Sequence, residues 1–205
     1  MKIKFALAGL TAILALAGCA VPTQYVDMKN DNVAVMGLDY KDFENAATDM
    51  VNDMLNSQLM AHPRVCKDPQ RCVLAISNIV NDTNERIDTD QLTKKIRVSL
   101  LNSGRFVVTT AIGINGAEDD MTRQSRDLRN SKMVNQSTVK KNGRVIAPDF
   151  SLSGKIVQRN LRVNSSTQQV EYSFMLTMTN LDNGLAYWEG EKTIVKRGDN
   201  RAVSW

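Results

Sequence analysis

The chain has 205 residues, of which 42% are hydrophobic and 23% are charged, with 3 Cys and a single His. This balance excludes disordered, collagen-like and disulfide-framework proteins, and a chain of this length buries roughly 70% of its unfolded surface without help from a metal. The formal net charge is +4. Without Lys2 and Lys4 it is +2, from 24 basic and 22 acidic residues, which removes the electrostatic case for nucleic acid.

The first residues have the organisation of an export signal. Residues 1–4 are cationic, residues 5–17 carry no charge, and the letters LAGC end the segment at Cys19. A membrane-spanning helix needs about 20 apolar residues, so this shorter run is typical of a signal peptide. LAGC resembles the lipobox of bacterial lipoproteins, which implies cleavage before Cys19 and acylation of its sulfur and new amino group. Ala20 implies the inner leaflet of the outer membrane. An ordinary cleaved signal peptide with an incidental Cys is the alternative.

These signals divide the chain into three parts. We expect a lipoprotein signal peptide over 1–18, a lipidated N-terminus and short tether over 19–32, and one globular domain over 33–205. The tether is polar and contains a proline. Counted over residues 20–38, it reaches at most about 65 Å when fully extended.

A first helix is predicted from its cap and its apolar stripe. Residues 33–38 can begin a strand, and Asp39 and Asp42 supply N-cap carboxylates. His62-Pro63 ends the helix, because proline cannot continue it. The residues at helical spacing on one face are Phe43, Ala47, Met50, Val51, Met54, Leu55 and Leu59.

Two cysteines remain once Cys19 is acylated. An oxidising periplasm favours a disulfide between Cys66 and Cys72, and Asp68-Pro69 marks the turn between them. Such a short loop contributes roughly 2–3 kcal/mol by the chain-entropy argument. A zinc site is disfavoured, since the two cysteines are six residues apart and His62 is the only other candidate ligand. Two free buried thiols remain as the alternative.

A strand, a helix and a second strand follow. Residues 73–80 form an apolar run ended by the polar residues 81–84. A helix starts at Asp88 and ends at Gly104, and its predicted buried stripe is Leu92, Ile96, Leu100 and Leu101. Residues 105–110 then resume an extended pattern.

Residues 113–148 are the most polar part of the chain. A helix is predicted over 117–133, with Met121 and Leu128 as a thin apolar edge, followed by a flap over 136–148 with KKNG at its tip. Three arginines share one flank of the helix. A solvated face is the default interpretation of such a flank, and a contact surface for an acidic partner is the sharper hypothesis. The candidate partner-binding residues are Arg123, Arg126 and Arg129.

The last third changes to a period of two. Residues 150–159, 170–178 and 185–195 alternate apolar and polar side chains, and Asn183-Gly184 is a strong hairpin signal. They predict an antiparallel meander with one wet face. The complete pattern indicates a single α+β domain with one sheet and helices on its apolar face.

The chain carries no recognisable catalytic motif. His62 is the only imidazole available to a triad, and its place at a helix end is the ordinary position of a structural histidine. The acidic group Asp82, Glu85, Asp88 and Asp90 lacks the Gly and closing Glu of a calcium loop. We therefore expect no enzyme activity, no metal and no cofactor.

Five short segments carry a resemblance when they are taken in order: MGLDYKDF (36–43), IVNDT (79–83), NSGRF (102–106), DFSLSGKI (149–156) and WEGEK (188–192). In that order they resemble the LpoB family, outer-membrane lipoproteins that activate class A penicillin-binding proteins. The resemblance implies a small α+β domain with a mostly antiparallel sheet flanked by helices, related to the N-terminal domain of TolB. It also implies a non-enzymatic role, in which the domain docks on a synthase and raises its glycosyltransferase and transpeptidase rates. The alternative is a structural or assembly lipoprotein of another envelope complex.

Overall fold

The structure is a computed structural model that describes residues 23–27, 33–58, 66, 71–112, 119–141 and 143–201, apart from the side chain of Arg123. The chain separates into two compact units, Met1–Val33 and Ala34–Trp205. In the first unit the described residues, 23–27 and 33, have no regular secondary structure.

The described residues of the second unit form three α-helices and five strands, so the predicted α+β class is confirmed. In chain order they are α1 (Tyr40–Asn56), β1 (Cys72–Asp82), α2 (Thr89–Asn102), β2 (Phe106–Val108), α3 (Asp120–Asp127), a 3₁₀ turn (Leu128–Asn130), β3 (Phe150–Arg162), β4 (Thr167–Asn180) and β5 (Ala186–Asp199).

The five strands form one mixed sheet in the order β2-β1-β3-β4-β5. β1 pairs in parallel with both β2 and β3, and the long ladders β3–β4 and β4–β5 are antiparallel. The short connections 163–166 and 181–185 allow only hairpins, whereas the return from β1 to β2 runs through α2. The predicted meander, β3 to β5, is therefore the larger part of the sheet, and β1 and β2 complete it with parallel pairing.

α1 begins where its sequence predicts. The Asp39 side chain accepts from the Asp42 backbone N–H at 3.0 Å, and the Asp42 side chain accepts from the Asp39 N–H at 2.8 Å, which completes a capping box. The predicted stripe is buried through Met54. Leu59 and His62 lie outside the described residues.

The strand expected over 33–38 does not form. The described backbone there is irregular. Its polar groups are engaged by side chains instead of by a strand ladder: the Leu38 N–H donates to Glu85, and the Gly37 carbonyl accepts from Lys196. The apolar pattern of these six residues does not indicate hydrogen bonds to side chains so distant in the sequence.

α2 has the predicted ends. Asp88 accepts from the Asp90 N–H at 3.0 Å, and Gly104 follows the helix with φ +70°, a conformation that glycine adopts without strain. Leu92, Ile96 and Leu100 are buried. Leu101 is 47% exposed, which corrects the prediction, because one residue past Leu100 the helix has turned by about 100° away from the narrow buried stripe.

The core lies between one face of the sheet and the helices α1 and α2. Along β4 alternate side chains are buried, while those between them are half-buried on the opposite face. Trp188 in β5 packs into this core, and its Nε1 donates to Asp53 in α1 at 3.1 Å. A Cβ at Gly154 would lie 2.7 Å from the Met175 carbonyl oxygen, so glycine permits the close approach of β3 to β4 there.

α3 is shorter than the predicted helix 117–133. Residue 117 lies outside the described residues, and the 3₁₀ turn replaces the helix after Asp127. Met121 is 66% exposed and Leu128 is 42% exposed, so the expected apolar edge does not pack in the core. With so little surface to bury, tertiary packing supports only two turns.

Candidate functional site

The most distinctive surface feature is a cleft of about 470 Å³ between α3 with its 3₁₀ turn and the flap, residues 136–148. We call it the basic cleft. Its lining comes from two stretches of chain separated by about ten residues. The lining residues are Thr122, Ser125, Arg126, Arg129, Lys140, Lys141, Gly143, Arg144 and Val145.

The two arginines on the α3 side of the cleft are held by backbone carbonyls of α3. Arg126 Nε donates to the Thr122 carbonyl at 3.0 Å, and Arg129 Nε donates to the Arg126 carbonyl at 2.9 Å. Both side chains are half-buried. Because one N–H of each guanidinium is hydrogen-bonded to the backbone, the plane of the guanidinium group is oriented before a ligand binds.

The three cations of the flap form the exposed side of the cleft. Lys140, Lys141 and Arg144 are exposed, and Gly143 between them adopts φ +72°. A positive φ is natural for glycine and turns the tip so that cations on either side of it line the same cleft.

The lining of the basic cleft is positively charged. Five of its lining side chains are cationic and none is a carboxylate. Within the described residues, Arg129, Lys140, Lys141 and Arg144 form no ion pair with an acidic side chain. Like charges so close together repel each other, so the arrangement is suited to an anion brought from outside.

The sequence analysis found part of this site. Arg126 and Arg129 line the cleft, and Arg123 lies in α3 with its side chain outside the described residues. The flap tip was noted without a role, and Arg144 was missed. A signal for the whole site was present, because residues 128–148 contain three Lys and two Arg but no Asp or Glu. The nearly neutral total charge concealed this local excess.

A second group of charged residues lies where the chain enters the domain. It consists of Asp39, Asp42, Glu85, Tyr172 and Lys196, and we call it the junction cluster. Lys196 Nζ is 2.5 Å from Asp42 Oδ2 and 3.3 Å from Asp39 Oδ2, and it donates to the Gly37 carbonyl at 2.6 Å.

Glu85 is the other centre of the junction cluster. It is 8% exposed and accepts from the Tyr172 hydroxyl and from the Leu38 N–H at 3.2 Å. A Cβ at Gly37 would lie 3.1 Å from Glu85 Oε2, so glycine makes room for the carboxylate. The cluster is internally satisfied, which indicates a structural role: it attaches residues 36–39 to β4, β5 and the loop after β1.

The acidic group considered for calcium serves structural purposes. Asp82 pairs with Lys155 at 2.5 Å, Asp88 caps α2, and Glu85 belongs to the junction cluster. Among the described residues no three His, Cys, Asp or Glu side chains are grouped to hold a metal ion.

The structure describes the two cysteines that the sequence analysis predicts to form a disulfide. Cys66 and Cys72 are joined in a disulfide with their Cα atoms 5.1 Å apart. Cys19, the candidate lipidation site, lies outside the described residues. No helix in the described ranges is long and apolar enough to cross a membrane.

Comparison with known proteins assigns the family. The family model described as peptidoglycan-synthase activator LpoB matches residues 42–194, which are 153 of the 205 residues. This range runs from the first turn of α1 to β5 and includes the basic cleft. No curated protein matches the chain in sequence.

Similar solved structures include the LpoB C-terminal domain from Salmonella enterica, at 16% identity over 75% of this chain and 98% of that one, with a TM-score of 0.45. The NMR structure of Escherichia coli LpoB covers 87% of this chain and 81% of that one at 15% identity, with a TM-score of 0.43. Lipoprotein GNA1162 from Neisseria meningitidis matches 65% of this chain and 87% of that one at 10% identity, with a TM-score of 0.34.

The family description names an activator of a synthase, which is a regulatory and not an enzymatic role. The family match covers more than half of the chain and agrees with the resemblance of the five segments. The chain therefore belongs to the LpoB family of peptidoglycan-synthase activators.

Proposed function

We propose that this chain is a lipid-anchored outer-membrane lipoprotein that binds and activates a class A penicillin-binding protein. The observation that carries the proposal is the family match over residues 42–194, which contains nearly all the regular structure of the domain. The lipobox-like ending at Cys19 supports the anchor, and Ala20 supports the inner leaflet of the outer membrane.

Activation without catalysis requires a difference in affinity. The chain must bind the competent state of the synthase more tightly than the idle state, and a tenfold shift in that equilibrium needs about 1.4 kcal/mol of preference. A folded domain with a hydrophobic core is suited to this role, because its binding free energy is not spent on folding its own backbone.

The activating role is tested with purified components. The full-length lipoprotein and each class A penicillin-binding protein of its organism are reconstituted together, and glycan polymerisation and peptide crosslinking are followed. We expect both rates to rise with one of these synthases in proportion to complex formed. Unchanged rates with all of them, together with no binding, contradict the proposal.

The anchor is tested in cells. Metabolic labelling with palmitate is expected to mark the wild-type chain and not the Cys19→Ala variant. Cys66→Ala provides the matched control, since it removes a different cysteine and leaves the labelling intact. Fractionation is expected to place the wild-type chain in the outer membrane. An unlabelled wild-type chain would exclude lipidation.

A structural or assembly role in another envelope complex is the second candidate. The observation that favours it is the short tether. Residues 20–38 reach at most about 65 Å when they are fully extended, which limits the distance between the anchor and a partner. In-cell crosslinking of the mature lipoprotein separates the two, since the proposal expects a penicillin-binding protein as the partner. Crosslinks only to components of a different complex favour the assembly role.

A further inference from the structure

We propose that the basic cleft is a binding site for a phosphate-bearing ligand, either a free oxyanion such as pyrophosphate or the phosphate of a lipid headgroup. The site lies between α3, its 3₁₀ turn and the flap. The proposal does not depend on activation of a synthase, so either can fail without the other.

The first argument is the chemistry of the lining. Arg126 and Arg129 present planar forks whose orientation is set by hydrogen bonds from Nε to helix carbonyls. Guanidinium forks match the oxygen geometry of phosphate and bind it bidentately, while lysine acts on phosphate as a compact point charge. Lys140 and Lys141 supply such charges from the opposite side of the cleft.

The second argument is the balance of charge. Five cationic side chains line the cleft and no carboxylate does, although acidic residues occur in the same helix. Asp120 and Asp127 belong to α3 but are absent from the lining. A single carboxylate of a protein partner neutralises one cation, whereas a diphosphate places several negative charges within one compact group. The cleft therefore favours phosphate over an acidic protein surface.

The third argument compares the cleft with another depression of similar size. A cavity of about 520 Å³ at the far end of the β3–β4 hairpin is lined by Asn160, Leu161, Arg162, Gln168 and Asn200. It contains one cation, and the Nε of that Arg162 also donates to a backbone carbonyl, Asn164, at 3.2 Å. Similar volume with one charge in place of five shows that concavity alone does not concentrate positive charge in this fold.

The experiment measures ligand binding to the full chain in nonionic micelles. Inorganic pyrophosphate is titrated calorimetrically at low salt into the wild-type protein, the double variant Arg129→Gln/Lys141→Gln and the control Arg162→Gln. Binding is expected for the wild type and the control, and a loss of about tenfold or more in affinity for the double variant. The control removes an arginine held in the same manner but outside the cleft.

A second arm distinguishes the sources of phosphate. Micelles containing phosphatidylglycerol are compared with micelles containing phosphatidylcholine, and competition with pyrophosphate is followed. Competition by phosphatidylglycerol assigns the site to lipid headgroups, and pyrophosphate binding without competition assigns it to a free oxyanion. Both outcomes support the proposal.

Three results overturn it. The first is that neither pyrophosphate nor phosphatidylglycerol binds to the wild-type protein at low salt. The second is an equal loss of affinity in the cleft variant and in Arg162→Gln, which indicates attraction by overall charge. The third is binding of a glutamate-rich peptide without binding of pyrophosphate, which assigns the cleft to an acidic protein partner. Circular dichroism of each variant confirms that its fold is retained.

Discussion

The junction cluster and the basic cleft both bring charged side chains together, but the first pairs opposite charges and the second collects charges of one sign. In the junction cluster Lys196 is 11% exposed and meets two carboxylates and a carbonyl. In the basic cleft five cations share one concavity, with no carboxylate in its lining. Charge that is paired and buried holds the fold together, whereas charge collected with one sign is available to a ligand. The two regions therefore respond differently to substitution.

The largest expected effect is on the stability contributed by the junction cluster. Lys196→Met leaves Asp39 and Asp42 without their cation in a buried setting, so we expect a loss of about 3–5 kcal/mol in the free energy of unfolding. Urea unfolding measures it. Lys192→Met is the matched control, because Lys192 lies on the same strand and pairs with Asp49 of α1 at 2.6 Å in an exposed position.

The control is expected to lose no more than about 1 kcal/mol, as is usual for exposed ion pairs. Equal losses in Lys196→Met and Lys192→Met would contradict the distinction between buried and exposed pairs in this molecule.

An intermediate effect is expected at the other centre of the junction cluster. Tyr172→Phe removes the hydroxyl that donates to the buried Glu85 carboxylate, and leaving that acceptor unsatisfied costs about 1–3 kcal/mol. Thermal and urea unfolding measure the change. Tyr187→Phe is the control, since Tyr187 is half-buried and its hydroxyl accepts from the Asn183 side chain in an exposed turn, at 3.3 Å.

We expect Tyr187→Phe to change stability by about 0.5 kcal/mol or less. If Tyr172→Phe is equally mild, the hydrogen bond to Glu85 does not secure the entry of the chain into the domain.

A smaller effect on stability is expected in the basic cleft. Arg129→Gln/Lys141→Gln removes two mutually repelling charges that have no acidic partner among the described residues, so unfolding stability stays within about 0.5 kcal/mol of the wild type. Urea unfolding at low salt is the measurement. A loss as large as that of Lys196→Met would show that these cations support the fold and would remove the contrast between the two regions.

The smallest effect is expected at the end of β5, outside both regions. The side-chain hydrogen bond from Arg201 holds the pKa of Asp199 below its ordinary value, and both groups are solvent-exposed. Because the folded pKa is lowered, any stabilisation is present at neutral pH and lost as the pH falls through that pKa. Arg201→Gln is expected to raise the pKa of Asp199 in an NMR titration and to leave neutral-pH stability unchanged. An unmoved pKa contradicts the assignment.

Much of the fold was predictable because its signals are local. The caps at Asp39 and Asp88, the glycine after α2 and the alternation along β4 each operate within a few residues of chain, and all four are present in the structure. The segments that were predicted wrongly are those whose conformation depends on residues far away in the chain. Residues 33–38 resemble the start of a strand, but Glu85 and Lys196 engage the backbone of Leu38 and Gly37.

The basic cleft was only half predictable for a related reason. The arginine spacing is visible in the sequence as a helical period, which placed Arg126 and Arg129 on one flank of the predicted helix 117–133. The position of the flap relative to α3 has no periodic signature, so its three cations did not join them in the sequence analysis. A count of charge over residues 128–148 reveals the excess but not the concavity.

The amino-acid sequence alone predicted an export-type leader and determined the α+β class, the helix caps, the hairpin meander and the resemblance to the LpoB family, because each depends on the order and spacing of neighbouring residues. Only the tertiary structure decided that β1 lies parallel to two strands, that Glu85 and Lys196 secure the entrance to the domain, and that two basic segments face each other across one cleft. These features depend on contacts between residues far apart in the chain or on the path of an irregular loop. The local pattern of apolar and polar residues predicts neither.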